Sequence, residues 1–128
     1  MLKQIPTESL TKLTNEKVVF GFSELRNISY REARNNSAFF IDFIDRLKKY
    51  CQLTWNDLRT SQRHGFGTES IPVTKLRERA LAHIPPELIK LLVLRATGNN
   101  HVFLGYRDRN IFQVIFIEYQ FGDIYDHG

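Results

Sequence analysis

The stretch IKLLVLRATGNNHVFLGYRDRNIFQVIFIEY, residues 89–119, decides the fold. It divides into three apolar runs: Ile89 to Thr97, His101 to Arg107 and Ile111 to Tyr119. Gly98-Asn99-Asn100 and Asp108-Arg109-Asn110 separate them, and residues of these types turn a chain readily. Short turns between successive strands predict an antiparallel meander. The third run is apolar at almost every position, which predicts a central strand covered on both faces.

Upstream, Val18-Val19-Phe20-Gly21-Phe22-Ser23 is dense in β-branched and aromatic residues and predicts a further strand. Residues 26–36 are a polar loop rich in Arg and Asn. Asn36 or Ser37 can cap the helix that follows, whose apolar stripe is Phe40, Phe43, Ile44, Leu47 and Cys51. Cys51 therefore reads as core. A second, shorter helix starts at Leu53-Thr54, where Thr54 and Asp57 have capping-box spacing and Trp55 and Leu58 supply apolar contacts. Residues 68–88 read as a long, partly ordered connection, with a short helical turn at Arg77 to Ala82 stopped by Pro85-Pro86. Residues 1–16 read as an N-terminal arm and 17–128 as one domain. The expected fold is α+β: a two-layer β-α-α-β-β-β arrangement, with an antiparallel sheet and helices packed on one face.

The 128 residues include ten Phe, enough for one real core. A single cysteine excludes an internal disulfide and a four-cysteine zinc site. No apolar run is long enough for a membrane span, and the N-terminus lacks the apolar stretch of a signal peptide. The expectation is a soluble, cytoplasmic protein. The net charge of +4 is unevenly distributed. Residues 1–110 carry +7 and residues 111–128 carry −3, from Glu118, Asp123 and Asp126. A basic body suggests a polyanionic partner such as nucleic acid.

Three groups of residues stand out. Arg107 and Arg109 flank a hairpin tip, with Tyr106 beside them and Arg95 on the neighbouring strand. Guanidinium groups pair bidentately with phosphate, and aromatic rings stack on unpaired bases. The alternative is a solvated charged turn. Arg59, Arg63 and His64 lie at a helix end before Gly65-Phe66-Gly67, where His64 reads as an acid or base, or else as part of a C-terminal cap. Tyr125 and His127 close the chain, where a His beside a Tyr can reach over a sheet face; the alternative is a frayed tail. His83 and His101 read as incidental. No phosphate-binding glycine loop, His-Glu-x-x-His or Cys-x-x-Cys motif is present, and no spacing supports a metal site or a cofactor.

The segments Leu53 to Leu58, Arg63 to Gly67, Gly105 to Asp108 and Asp123 to Gly128 resemble a family of small uncharacterised bacterial proteins, a resemblance covering residues 40–128. Arg59 and His64 share the Arg-x4-His spacing of the all-helical HEPN ribonucleases, a fold that the β-rich C-terminal third does not suit. More distantly, the element order and basic surface resemble the RelE/ParE-like toxins. That resemblance implies an endoribonuclease acting on messenger RNA in the ribosome, an antitoxin partner, and roles for Arg95, Arg107, Arg109, Tyr125 and His127. The residues leave open a non-enzymatic nucleic-acid- or protein-binding module, and a homodimer in which the acidic tail of one copy meets the basic body of another.

Overall fold

The computed structural model describes residues 15–61 and 67–128. Five strands form one sheet: β1 (Val19–Gly21), β2 (Glu69–Pro72), β3 (Lys90–Arg95), β4 (Val102–Asp108) and β5 (Ile111–Glu118), in the order β1-β5-β4-β3-β2. The predicted meander is β3-β4-β5, antiparallel throughout. β1 joins its far side parallel to β5, which makes the sheet mixed and β5 interior. The connection contains an edge strand that its sequence does not advertise. β2 reads Glu-Ser-Ile-Pro and pairs with β3, and Pro72 suits an edge because it has no N–H to donate.

Helix α1 (Ser37–Tyr50) starts where Asn36 accepts the Phe39 N–H. Its buried side chains are Phe39, Phe43 and Tyr50; Ile44 is 60% exposed and Cys51 is exposed. The apolar stripe is thus rotated from the predicted one, because two neighbouring stripes of this helix are both apolar. Helix α2 (Trp55–Thr60) begins with the complete Thr54/Asp57 capping box. The short α3 (Glu78–Leu81) is the helical turn foreseen in the connection.

Each sheet face carries a core. On one, α1 and α2 bring Phe39, Phe43, Tyr50, Trp55 and Leu58 against Leu94, Phe103, Phe112 and Val114. On the other, the connection and C-terminal tail bring Leu76, Ala80, Ile124 and Tyr125 against Leu91, Val93, Leu104 and Phe116. Burying each large apolar side chain stabilises the fold by about 1.5–3 kcal/mol.

The β4–β5 ladder is interrupted once. Leu104 pairs with Phe116 and Gly105 with Val114, so Ile115 is an extra residue. At Gly105 a Cβ would lie 1.8 Å from the Gln113 carbonyl oxygen. Only glycine fits opposite this bulge.

Candidate functional site

The C-terminal tail is docked, not frayed. After β5 the chain turns at Gly122, whose φ of 82° favours glycine. Residues 124–126 then run antiparallel to residues 75–77. Arg77 N–H donates to the Ile124 carbonyl at 2.7 Å, and Asp126 N–H to the Lys75 carbonyl at 2.9 Å. Arg79 pairs with Asp123 at 2.6 Å. The acidic tail is therefore held on its own chain.

Glu118 organises this end of the sheet. It is 0% exposed, and among the described residues its carboxylate is hydrogen-bonded to the tail. One carboxylate oxygen accepts the N–H groups of Ile124 and Tyr125, at 2.8 and 3.2 Å. The other lies 2.6 Å from His127 Nε2. A buried carboxylate needs such partners, since leaving its charge unpaired is very costly. An ionised Glu118 accepts from Nε2–H, which fixes the tautomer and leaves Nδ1 as the basic nitrogen. The ring is clamped between Tyr125 and Phe121, with centroids 3.8 and 4.1 Å away.

His127 and Tyr125 line a cleft of about 170 Å³ with Arg95, Lys75, Glu69 and Asp126. Arg95 also donates to the Asn99 carbonyl at 2.8 Å, which restrains its guanidinium. The Gly128 N–H, helped by Arg77, Lys75 and His127, holds the Asp126 carboxyl below the usual carboxylate range. Phe121, 63% exposed, forms part of the rim.

Three of the sequence-predicted residues, Arg95, Tyr125 and His127, thus meet in one cleft. Arg107 does not join them. It lies on the helix-bearing face, with its guanidinium 4.4 Å from the Trp55 ring and its Nε donating to the Arg109 carbonyl. Val102 is opposite Glu118 and Arg107 is five residues further along β4, about 17 Å away. Partial burial lowers its pKa from the ordinary arginine value. Arg109 occupies the turn with a φ of 60° and is exposed. Arg59 donates to Asn56 on α2. Tyr106 donates to Glu24 and lines a separate cleft of about 530 Å³ with Arg26, His83 and Asp108. Arg63 and His64 fall outside the described residues.

No family model, curated protein or solved structure matches this chain. The site therefore rests on its own geometry.

Sequence reasoning missed Glu118 and Lys75 as members of the site. Glu118 had a signal: it is the one ionisable residue in the otherwise buried run of β5, and such a residue requires a partner. Lys75 had none, because only the pairing of residues 75–77 with the tail brings it there. His101, read as incidental, is a packing residue: its ring stacks on Tyr119 and its Nδ1 lies 2.7 Å from Thr97 Oγ1. Among the described residues, no group of three His, Cys, Asp or Glu is placed to hold a metal ion, and no helix is long and apolar enough to cross a membrane.

Proposed function

We propose that this protein is a metal-independent endoribonuclease of the toxin-like kind, with its reaction centre at His127. The observation that carries the reading is the imidazole oriented by a fully buried carboxylate, in a cleft that also holds Arg95 and Lys75. RNA supplies its own nucleophile. The 2′-hydroxyl attacks the adjacent phosphorus, the phosphorus–5′-oxygen bond breaks, the departing oxygen takes a proton from solvent water, and a 2′,3′-cyclic phosphate and a 5′-hydroxyl result. His127 Nδ1 takes the 2′-hydroxyl proton, and Glu118 stabilises the imidazolium that forms. Arg95 and Lys75 stabilise the charge on the phosphorane oxygens. Exposed Phe121 offers a base-stacking surface beside the ring. An antitoxin partner would act by covering this cleft.

The test is cleavage of RNA in the presence of a chelator, with and without ribosomes. The wild type is expected to give cyclic-phosphate ends and to arrest growth on expression. His127→Ala is expected to lose both, with cleavage slowed about 100-fold or more. A wild type that neither arrests growth nor cleaves RNA with ribosomes present defeats the reading.

A second reading, a non-enzymatic binding module, draws on two observations. Glu118 also fastens the tail through two backbone N–H groups, and Glu69 and Asp126 offset the cations of the cleft. It predicts salt-sensitive RNA or DNA binding without turnover.

A further inference from the structure

The polar loop before α1 contains a feature that the His127 site does not use. Tyr30, Arg31, Arg34 and Phe40 line a cleft of about 290 Å³. The two rings are partly buried against the helix-side core, whereas both arginines are exposed. Tyr30 is further restrained by donating its hydroxyl proton to Asn27 at 3.0 Å. Among the described residues, neither guanidinium is engaged by a carboxylate, and the neighbouring Glu32 does not line the cleft.

The segment is launched by a strained turn. Ser29 has φ 71° and ψ −62°, and the Tyr30 N–H donates to the Ile28 carbonyl at 2.9 Å, closing a three-residue γ-turn. Non-glycine residues rarely adopt this conformation, and it persists only where the surroundings impose it. Here the Ser29 hydroxyl oxygen accepts the Tyr119 N–H at 2.8 Å, and Ser29 bridges to Ile117, the residue before Glu118. Asn36, at the far end of the loop, donates to the Tyr119 hydroxyl. The loop is thereby fixed to the same end of β5 that carries the His127 site.

We infer that the Tyr30–Arg31–Arg34–Phe40 cleft is a second subsite for single-stranded RNA, taking a base against the rings and the flanking phosphates against the guanidiniums. The chemistry is that of stacking platforms edged by arginine. Ser29 and Arg95 are about three strand spacings or 14 Å apart across the sheet, and the two clefts lie on its opposite faces, so an RNA strand that occupies both passes around the end of the sheet where β5 finishes. The subsite rests on the RNA reading above and adds to it where the strand is held away from the reacting phosphate.

The experiment is fluorescence anisotropy with a labelled single-stranded 2′-O-methyl RNA, which lacks the attacking hydroxyl and so reports binding alone. Wild type, Arg31→Ala/Arg34→Ala, Tyr30→Leu and His127→Ala are each titrated between about 50 and 200 mM salt. The double arginine variant is expected to bind more weakly, with a log K against log salt slope shallower by about 1.4, the release expected from two single-strand phosphate contacts. Tyr30→Leu is expected to lose about tenfold in affinity at unchanged slope. His127→Ala is expected to keep the wild-type slope while losing cleavage of ordinary RNA, which tests the reaction centre separately. If the double arginine variant keeps the wild-type slope and affinity, the subsite is overturned while the reaction centre stands on the cleavage result. A wild type that binds no RNA, but binds an acidic peptide through Arg31 and Arg34, overturns it in favour of a protein-binding surface.

Discussion

Replacing Glu118 separates what holds the tail from what orients the histidine. Glu118→Ala leaves the Ile124 and Tyr125 N–H groups and His127 Nε2 without their shared acceptor, at a site closed to water. Each orphaned buried donor costs about 1–3 kcal/mol, and the lost volume adds a cavity cost. The expected loss is about 4 kcal/mol, roughly a quarter or more of the stability of an ordinary domain. Glu118→Gln behaves differently. Its amide oxygen still accepts both backbone N–H groups, and its NH2 donates to His127 Nε2. The fold loses only about 1 kcal/mol. The ring proton must then move to Nδ1, so His127 no longer offers a lone pair to the 2′-hydroxyl, and cleavage should fall about 100-fold or more. Urea denaturation gives the first pair of numbers and a chelator-treated RNA cleavage assay the second. If Glu118→Ala unfolds within about 1 kcal/mol of wild type, the carboxylate is not what fastens the tail. If Glu118→Gln cleaves at the wild-type rate, Glu118 does not position His127.

Other outcomes follow from the same geometry. Burial lowers the His101 pKa, with Glu118 opposing the shift, so the unfolded chain binds its proton more readily. The stability this contributes is present above the unfolded value near 6.5 and is lost as pH falls through the lower folded value. Urea melts at neutral and acidic pH should therefore show a smaller acid loss in His101→Asn than in wild type. Gly105→Ala forces a Cβ into the Gln113 carbonyl and should cost about 3 kcal/mol or more, read as a lowered melting temperature or insoluble expression. Burial, followed by the hydrogen bond to Glu24, pushes the Tyr106 phenol up to about 12. Ultraviolet titration should find a tyrosine ionising there, and Glu24→Gln should bring it down. Thr54→Ala removes the Asp57 N–H acceptor of the capping box and should cost about 1 kcal/mol in a urea melt.

The parts of the fold that sequence discloses are those with local causes. β3, β4 and β5 are visible because apolar runs alternate with turn residues, and α2 because its capping box is written into four residues. The face of α1 is ambiguous because Phe39, Phe43 and Tyr50 compete with Phe40, Ile44 and Leu47, all with helical spacing. β2 is invisible because its strand state comes from a partner strand 18 to 24 residues further along the chain, while its own composition favours a loop. The same distinction governs the site. Tyr125 and His127 are conspicuous as an apolar and titratable tail. Their meeting with Arg95 depends on Glu118 and on the pairing with residues 75–77, both long-range. Arg107 is conspicuous for its charge, yet strand parity sends it to the helix-bearing face.

The parity of β5, in contrast, depends on the unpaired Ile115. Phe112 and Val114 face the helices, and in an unbroken strand Phe116 and Glu118 would follow them by simple alternation. The extra residue resets the count, so Ile117 faces the helices and Phe116 turns to the tail-side core. Glu118 goes with Phe116. The bulge works as a one-residue frameshift in the pleat, with Gly105 as the space that permits it. Deleting Ile115 would remove the bulge yet leave Phe116, Ile117 and Glu118 on the faces they now hold, because the strand would then alternate without a break. A ladder that kept Ile115 but lost the bulge would instead aim the carboxylate at the helix-side aromatic core, and His127 would keep its place in the sequence and lose its partner.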